Sequence, residues 1–177
     1  MAGLTFIYFS TPTLTAIIAG IPLILLGEVI RTWASGFIKK DKELAQEGPY
    51  ALTRNPLYLG NFLIGLGFSI MAYNPILVIL FLKAFSLIYI FTIRNEEKNL
   101  SVRFGDAYIA YKRRVPVFFP LRIIPLCPKG AIGGFACWRD FRLNFDWQLI
   151  WKHREHHTWL GIFGCLIIFI LRAAYFV

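Results

Sequence analysis

Apolar residues in this chain are gathered into four runs, over about 13–36, 57–73, 75–93 and 158–177, and polar residues fill the stretches between them. At 1.5 Å per helical residue the second and third runs reach roughly 26 and 28 Å, close to the thickness of a bilayer's hydrocarbon core. Only Asn74 and Pro75 mark the boundary between these two runs, which predicts a tight turn and a helical hairpin over about 57–93. A hairpin returns the chain to the side it left. Whatever follows Ile93 is therefore expected beside whatever precedes Leu57. The pattern predicts an all-α integral membrane protein of about four transmembrane helices, with interfacial helices on the cytoplasmic side and both chain ends on the other.

The polar stretches have patterns of their own. Residues 37–47 form a charged connector. After Ile93 come Arg94, Asn95, Glu96 and Glu97, then Leu100, Phe104, Tyr108 and Tyr111, one face of an amphipathic helix that most simply lies on the membrane surface. Gly105 marks a bend in it, and Lys112, Arg113 and Arg114 close it before Val115 and Pro116. Residues 116–135 hold too many prolines and glycines for a continuous helix. From Cys137 to Trp151 the spacing fits helix and strand equally, and Trp138, Trp147, Trp151 and Trp159 read as an interfacial aromatic belt. The expected organisation is a single membrane domain over 1–177, with a core at 13–120. An aromatic interfacial segment and the last helix follow over 121–177.

Composition supports the membrane reading: 57% of residues are hydrophobic and the mean hydropathy is +0.58. The first run, with no basic leader ahead of it, reads as a retained helix. The formal charge of +9 comes from 19 Lys and Arg, of which five lie in 31–56 and twelve in 94–157. That clustering beside spans is the asymmetry of cytoplasmic loops and favours anionic lipid, and no nucleic-acid-binding motif accompanies it. The cysteines Cys127, Cys137 and Cys165 show no CxxC spacing and read as reduced thiols. His153, His156 and His157 lack an evident third ligand, so no metal site is expected. Glu28 and Arg31 read as an i,i+3 topology-setting pair. Lys83, inside the third run, either snorkels or faces the bundle interior.

Two stretches carry candidate chemistry. In Gly48–Gly60, Pro49 and Pro56 restrict the residues before them and shape a loop, and Pro56 suits the first turn of the next helix. Tyr50, Arg54, Asn55 and Tyr58 then stand at a helix N-terminus, whose free N–H groups can receive an anionic group. The same residues also fit a simple interfacial anchor. The second stretch is the pair Glu96–Glu97, two adjacent acids directly after a span, where Lys and Arg are the usual residues.

Together, Gly48-Pro49-Tyr50 with Arg54-Asn55-Pro56-Leu57-Tyr58-Leu59-Gly60, and Glu96-Glu97 with Leu100, Phe104-Gly105, Tyr108, Tyr111 and Val115-Pro116, resemble a known family. It is the integral-membrane methyltransferases, which include isoprenylcysteine carboxyl methyltransferase and the phospholipid N-methyltransferases. The resemblance covers about residues 13–120 and implies S-adenosylmethionine as cofactor, bound at the cytoplasmic end of the hairpin. It implies cofactor contacts from Lys42, Glu43, Leu44, Ala45, Tyr50, Asn55, Pro56, Leu57, Tyr58 and Glu96. The acceptor would be a lipid or lipid-modified molecule, with Arg94 or Glu97 orienting it. Two positions depart from the pattern. Many members carry His where this chain has Asn55, which can donate and accept hydrogen bonds but cannot titrate. The prenylcysteine branch has Arg where this chain has Thr92, which weighs against a prenylcysteine acceptor. The rival readings are an NADPH-dependent membrane reductase of the sterol-reductase type and a non-catalytic lipid-binding membrane protein.

Overall fold

The computed structural model describes residues 6–38, 44–119 and 155–175. Among them the chain is helical, with α1 at Leu14–Ser35, a short 3-10 turn at Gly48–Ala51, α2 at Pro56–Met71, α3 at Pro75–Arg114 and α4 at Glu155–Tyr175. The helix boundaries follow from local chemistry. Thr13 Oγ1 accepts from the Ala16 amide at 3.3 Å at the start of α1. Pro56 and Pro75 open α2 and α3, where a missing N–H costs nothing. Tyr73, at φ 50°, ends the turn after α2, and the Asn74 side chain caps α3 by accepting from the Ile76 amide at 3.0 Å. Three helices, α1, α3 and α4, are long and apolar enough to cross a membrane, and α2, at 16 residues, is a shorter apolar helix. The protein is thus an all-α membrane protein with the predicted helices in place. Its third predicted run does not stop near residue 93 but continues as α3 to a break at Gly105.

The described residues fall into two compact units. The first holds residues up to Val29, Gly60–Phe91 and the last helix from His156. Ile17, Ile24, Met71, Leu77 and Phe169 form its core. Here α1 and α2 approach at backbone distance. A Cβ on Gly20 would lie 2.6 Å from the Gly67 carbonyl oxygen, and one on Gly27 would lie 2.6 Å from that of Gly60. Small residues let helices touch in this way where lipid offers no hydrophobic drive. On α4, Gly161 makes no such approach, since no described atom comes within 4 Å of a Cβ built there. Phe62, Phe85 and Tyr89 form an aromatic ladder with centroid spacings of 5.1 and 3.9 Å, and Asn61 donates to the Tyr89 hydroxyl at 3.1 Å. Lys83 is exposed. At one end of the unit Thr11 donates to the Ala72 carbonyl, Asn74 to that of Phe9, and Arg172 to those of Tyr8 and Ser10.

The second unit holds Ile30–Leu59 and the stretch from Thr92 onward, described as far as residue 119. Its first apolar cluster joins Ala34, Phe37 and Tyr50, with Ala45 and Leu57 packed against it. The other joins Tyr108, Tyr111 and Val115, with Leu44, Leu100 and Phe104. The face Leu100–Phe104–Tyr108–Tyr111 that the sequence marks as amphipathic is therefore used inside this unit.

Candidate functional site

The motif loop of the second unit is held by its own sequence. Gly48, at φ 58°, turns beneath the Phe37 ring, and Pro49 starts the 3-10 turn that buries Tyr50. From there the loop is clamped to residues 111–117. The Tyr111 hydroxyl donates to the Tyr50 carbonyl at 2.7 Å, and the Arg54 amide to that of Pro116 at 2.9 Å. Asn55 Nδ2 donates to the Val117 carbonyl at 2.8 Å, and Thr53 Oγ1 to the same oxygen at 3.3 Å. Burial pushes the Tyr111 hydroxyl far above its ordinary range, so it remains a protonated donor. Asn55 spends its amide on this clamp.

Gly105 shapes the other wall. Its φ of 49° and ψ of −127° break α3, and a Cβ there would meet nothing within 4 Å. Backbone conformation alone thus favours glycine at this position. Past the break the chain turns back, and Lys112 Nζ reaches Glu97 Oε2 at 2.7 Å although 15 residues separate the two. An unbroken helix would hold them about 22 Å apart, beyond the reach of both side chains. The other oxygen of Glu97 pairs with the guanidinium of Arg54, whose side chain is only 7% exposed. Arg54 also hydrogen-bonds Tyr108, which partly offsets the upward push of burial on that phenol. One turn of chain away, the Tyr58 hydroxyl donates to Glu96 Oε2 at 2.8 Å.

These walls enclose a cavity of about 400 Å³. That lies within the usual size of small-molecule sites, roughly 300–1,000 Å³. Of the expected cofactor contacts, Leu44, Ala45, Tyr50 and Asn55 line it, as do Pro56, Leu57, Tyr58 and Glu96. Lys42 and Glu43 lie outside the described residues. Of the two residues expected to orient an acceptor, Glu97 lines the cavity and is engaged on both oxygens. Arg94 is exposed and is not among the lining residues. Arg54, marked in the sequence at the helix N-terminus but not as a cofactor contact, lines the wall, as do the motif residues Tyr108 and Tyr111 and Arg103, which no sequence signal marked. Among the described residues no group of three metal-ligating side chains occurs, and His153 lies outside them.

Comparison with known proteins now adds to this geometry. The chain is 35% identical over 115 residues to the nickel-cobalt-cadmium resistance protein NccN of Alcaligenes xylosoxydans xylosoxydans, covering 64% of this chain and 52% of that one. It is 32% identical over 124 residues to the protein-S-isoprenylcysteine O-methyltransferase of Saccharomyces cerevisiae, covering 63% and 52%. With the enzyme of that name from Homo sapiens it shares 32% over 117 residues, covering 58% and 40%. The chain thus aligns with about half the length or less of these relatives. No solved structure matches it. The phospholipid methyltransferase family matches residues 15–107, which is more than half of the sequence and takes in both motif stretches as far as Gly105, and the chain belongs to that family.

Proposed function

We propose that this chain transfers a methyl group from S-adenosylmethionine to a lipid or lipid-like acceptor at the cytoplasmic membrane face. The observation that carries the reading is the hydrogen bond from Tyr58 to Glu96, which joins the two family motifs in the wall of one cavity. The cavity's donor and acceptor set fits the cofactor. Glu96 offers a carboxylate for ribose hydroxyls, and Tyr50, Pro56 and Leu57 offer apolar surface for an adenine. Arg54 Nε is buried with no hydrogen-bond acceptor among the described residues, a donor that suits an anionic group. The first turn of α2 adds free N–H groups for a carboxylate.

Bound there, S-adenosylmethionine supplies a methyl group on a positively charged sulfur, already activated for in-line displacement. The chain's own residues then have little covalent chemistry to perform. Tyr50, Tyr58 and Glu96 hold and orient the donor, and aromatic faces and carboxylates favour its positive charge. Tyr108 and Tyr111, on the far wall, exclude water from the cavity. The clustering of Lys and Arg in 31–56 and 94–157 supports the cytoplasmic face, and the relatives' methyltransferase names support the reaction class.

The test is a labelled-donor assay on the purified protein in bilayers of mixed phospholipids, with mass spectrometry of the methylated products. A methylated phospholipid amine or lipid-borne carboxylate is expected. Binding of NADPH in place of S-adenosylmethionine would overturn the reading in favour of a reductase.

A further inference from the structure

We propose that Glu97 is a positioning residue, the catch of a hinged cap that opens at Gly105 to admit the methyl donor and release its product. The proposal rests on the reading of the cavity given above. The cap has two parts, the motif loop around 50–55 and the returning arm over 106–117. They are bonded to each other through Tyr111 and Tyr50, Arg54 and Pro116, and Asn55 and Val117. The part of α3 before the break, from Thr92 to Phe104, is the stem. Glu97 stands on this stem and sends one oxygen to each part of the cap, to Arg54 of the loop and to Lys112 of the arm.

Glu97 thereby ties the stem by ion pairs to both parts of the cap. Apolar contacts also cross this seam, Leu100 and Phe104 against Tyr108 and Tyr111, and such surfaces can slide, while Tyr58, just past the loop, keeps its hydrogen bond to Glu96 on the stem. The cavity lies along that seam, with Leu100 and Phe104 on one side and Tyr50, Asn55, Tyr108 and Tyr111 on the other. Parting stem and cap therefore widens the cavity. The two halves of the catch differ in strength. Arg54 is buried, whereas the Lys112 side chain is 48% exposed, so its pair is screened and exchangeable. The break at Gly105, with its positive φ and open space at the Cβ, is the place where the chain can take up the change of direction that the motion needs. With both oxygens occupied, Glu97 acts through the cap and not on an acceptor.

Lys112→Met, Lys112→Arg and Gly105→Ala in the full chain, reconstituted in phosphatidylcholine nanodiscs, test this. Two quantities are read: amide hydrogen exchange over 106–117 without ligand, and the release rate of S-adenosylhomocysteine. Lys112→Met should speed both by about threefold to fivefold, the worth of an exposed pair. Gly105→Ala, strained in the closed form, should do the same, and Lys112→Arg should restore both. Unchanged exchange or unchanged release in Lys112→Met and Gly105→Ala would overturn the catch. If the unmodified protein binds neither S-adenosylmethionine nor S-adenosylhomocysteine, the reading of the cavity itself falls, and the gate falls with it.

Discussion

Glu96 and Glu97 are chain neighbours with different partners, because adjacent helical residues point about 100° apart. Glu96 is exposed and holds one tyrosine hydroxyl, while Glu97 carries two cations. Glu96→Gln should therefore weaken S-adenosylmethionine binding by about 1–2 kcal/mol, the loss of a charged hydrogen-bond partner, as read by calorimetry. Tyr58→Phe should cost less, and the pair should be non-additive because each residue sets the other's position. Normal donor affinity in Glu96→Gln would remove the proposed site. Asn55→Asp places a carboxylate against the Val117 carbonyl where an N–H now donates, and should cost about 1–3 kcal/mol in thermal unfolding. The sequence made Glu96, Tyr58 and Asn55 legible because their spacing around prolines and spans is local. The pairing of Arg54 with Glu97 was not legible, since it spans 43 residues and depends on a loop path that no periodicity encodes.

Elements show the same division. Helix starts at Pro56 and Pro75 follow from the sequence alone, as does the turn at Asn74. The continuity of α3 does not, because a span and an amphipathic stretch differ in composition but share one backbone. The amphipathic face could have met lipid or protein, and only the reversal at Gly105 assigns Tyr108 and Tyr111 to the cavity wall. Helix contacts were similarly open. Glycines at several spacings could have served, and those that do are Gly20 and Gly27 against Gly67 and Gly60. Gly27→Val should lower the melting temperature in detergent, through overpacking worth about 1–3 kcal/mol. Gly161→Val, with open space at its Cβ, should leave it nearly unchanged. A larger loss from the second substitution would place the tight contact elsewhere.

For the whole molecule, the distribution of charge supports one orientation and can be tested. Thr11, Asn74 and Arg172 share one end of the first unit, and outside the two polar stretches only Lys83 and Arg172 are basic. A cysteine placed at Asn74 should label from outside the cytoplasm and one at Lys112 from within. Labelling of position 74 from the cytoplasm would reverse the topology. About four membrane-spanning helices were expected from four apolar runs; among the described residues a helix covers each run, three of them long enough to span and one shorter, an inequality blurred by runs that merge into their flanks. That inequality has a mechanical consequence for the surrounding lipid. At 16 residues α2 is about 24 Å long, against a hydrocarbon core of roughly 30 Å. Placed across a bilayer, a helix this short would thin it locally and draw lipid headgroups toward the protein. Short-chain phospholipids relieve this mismatch, so turnover should rise as the host acyl chains shorten from 18 towards 14 carbons, roughly the span over which a bilayer thins to the length of the helix.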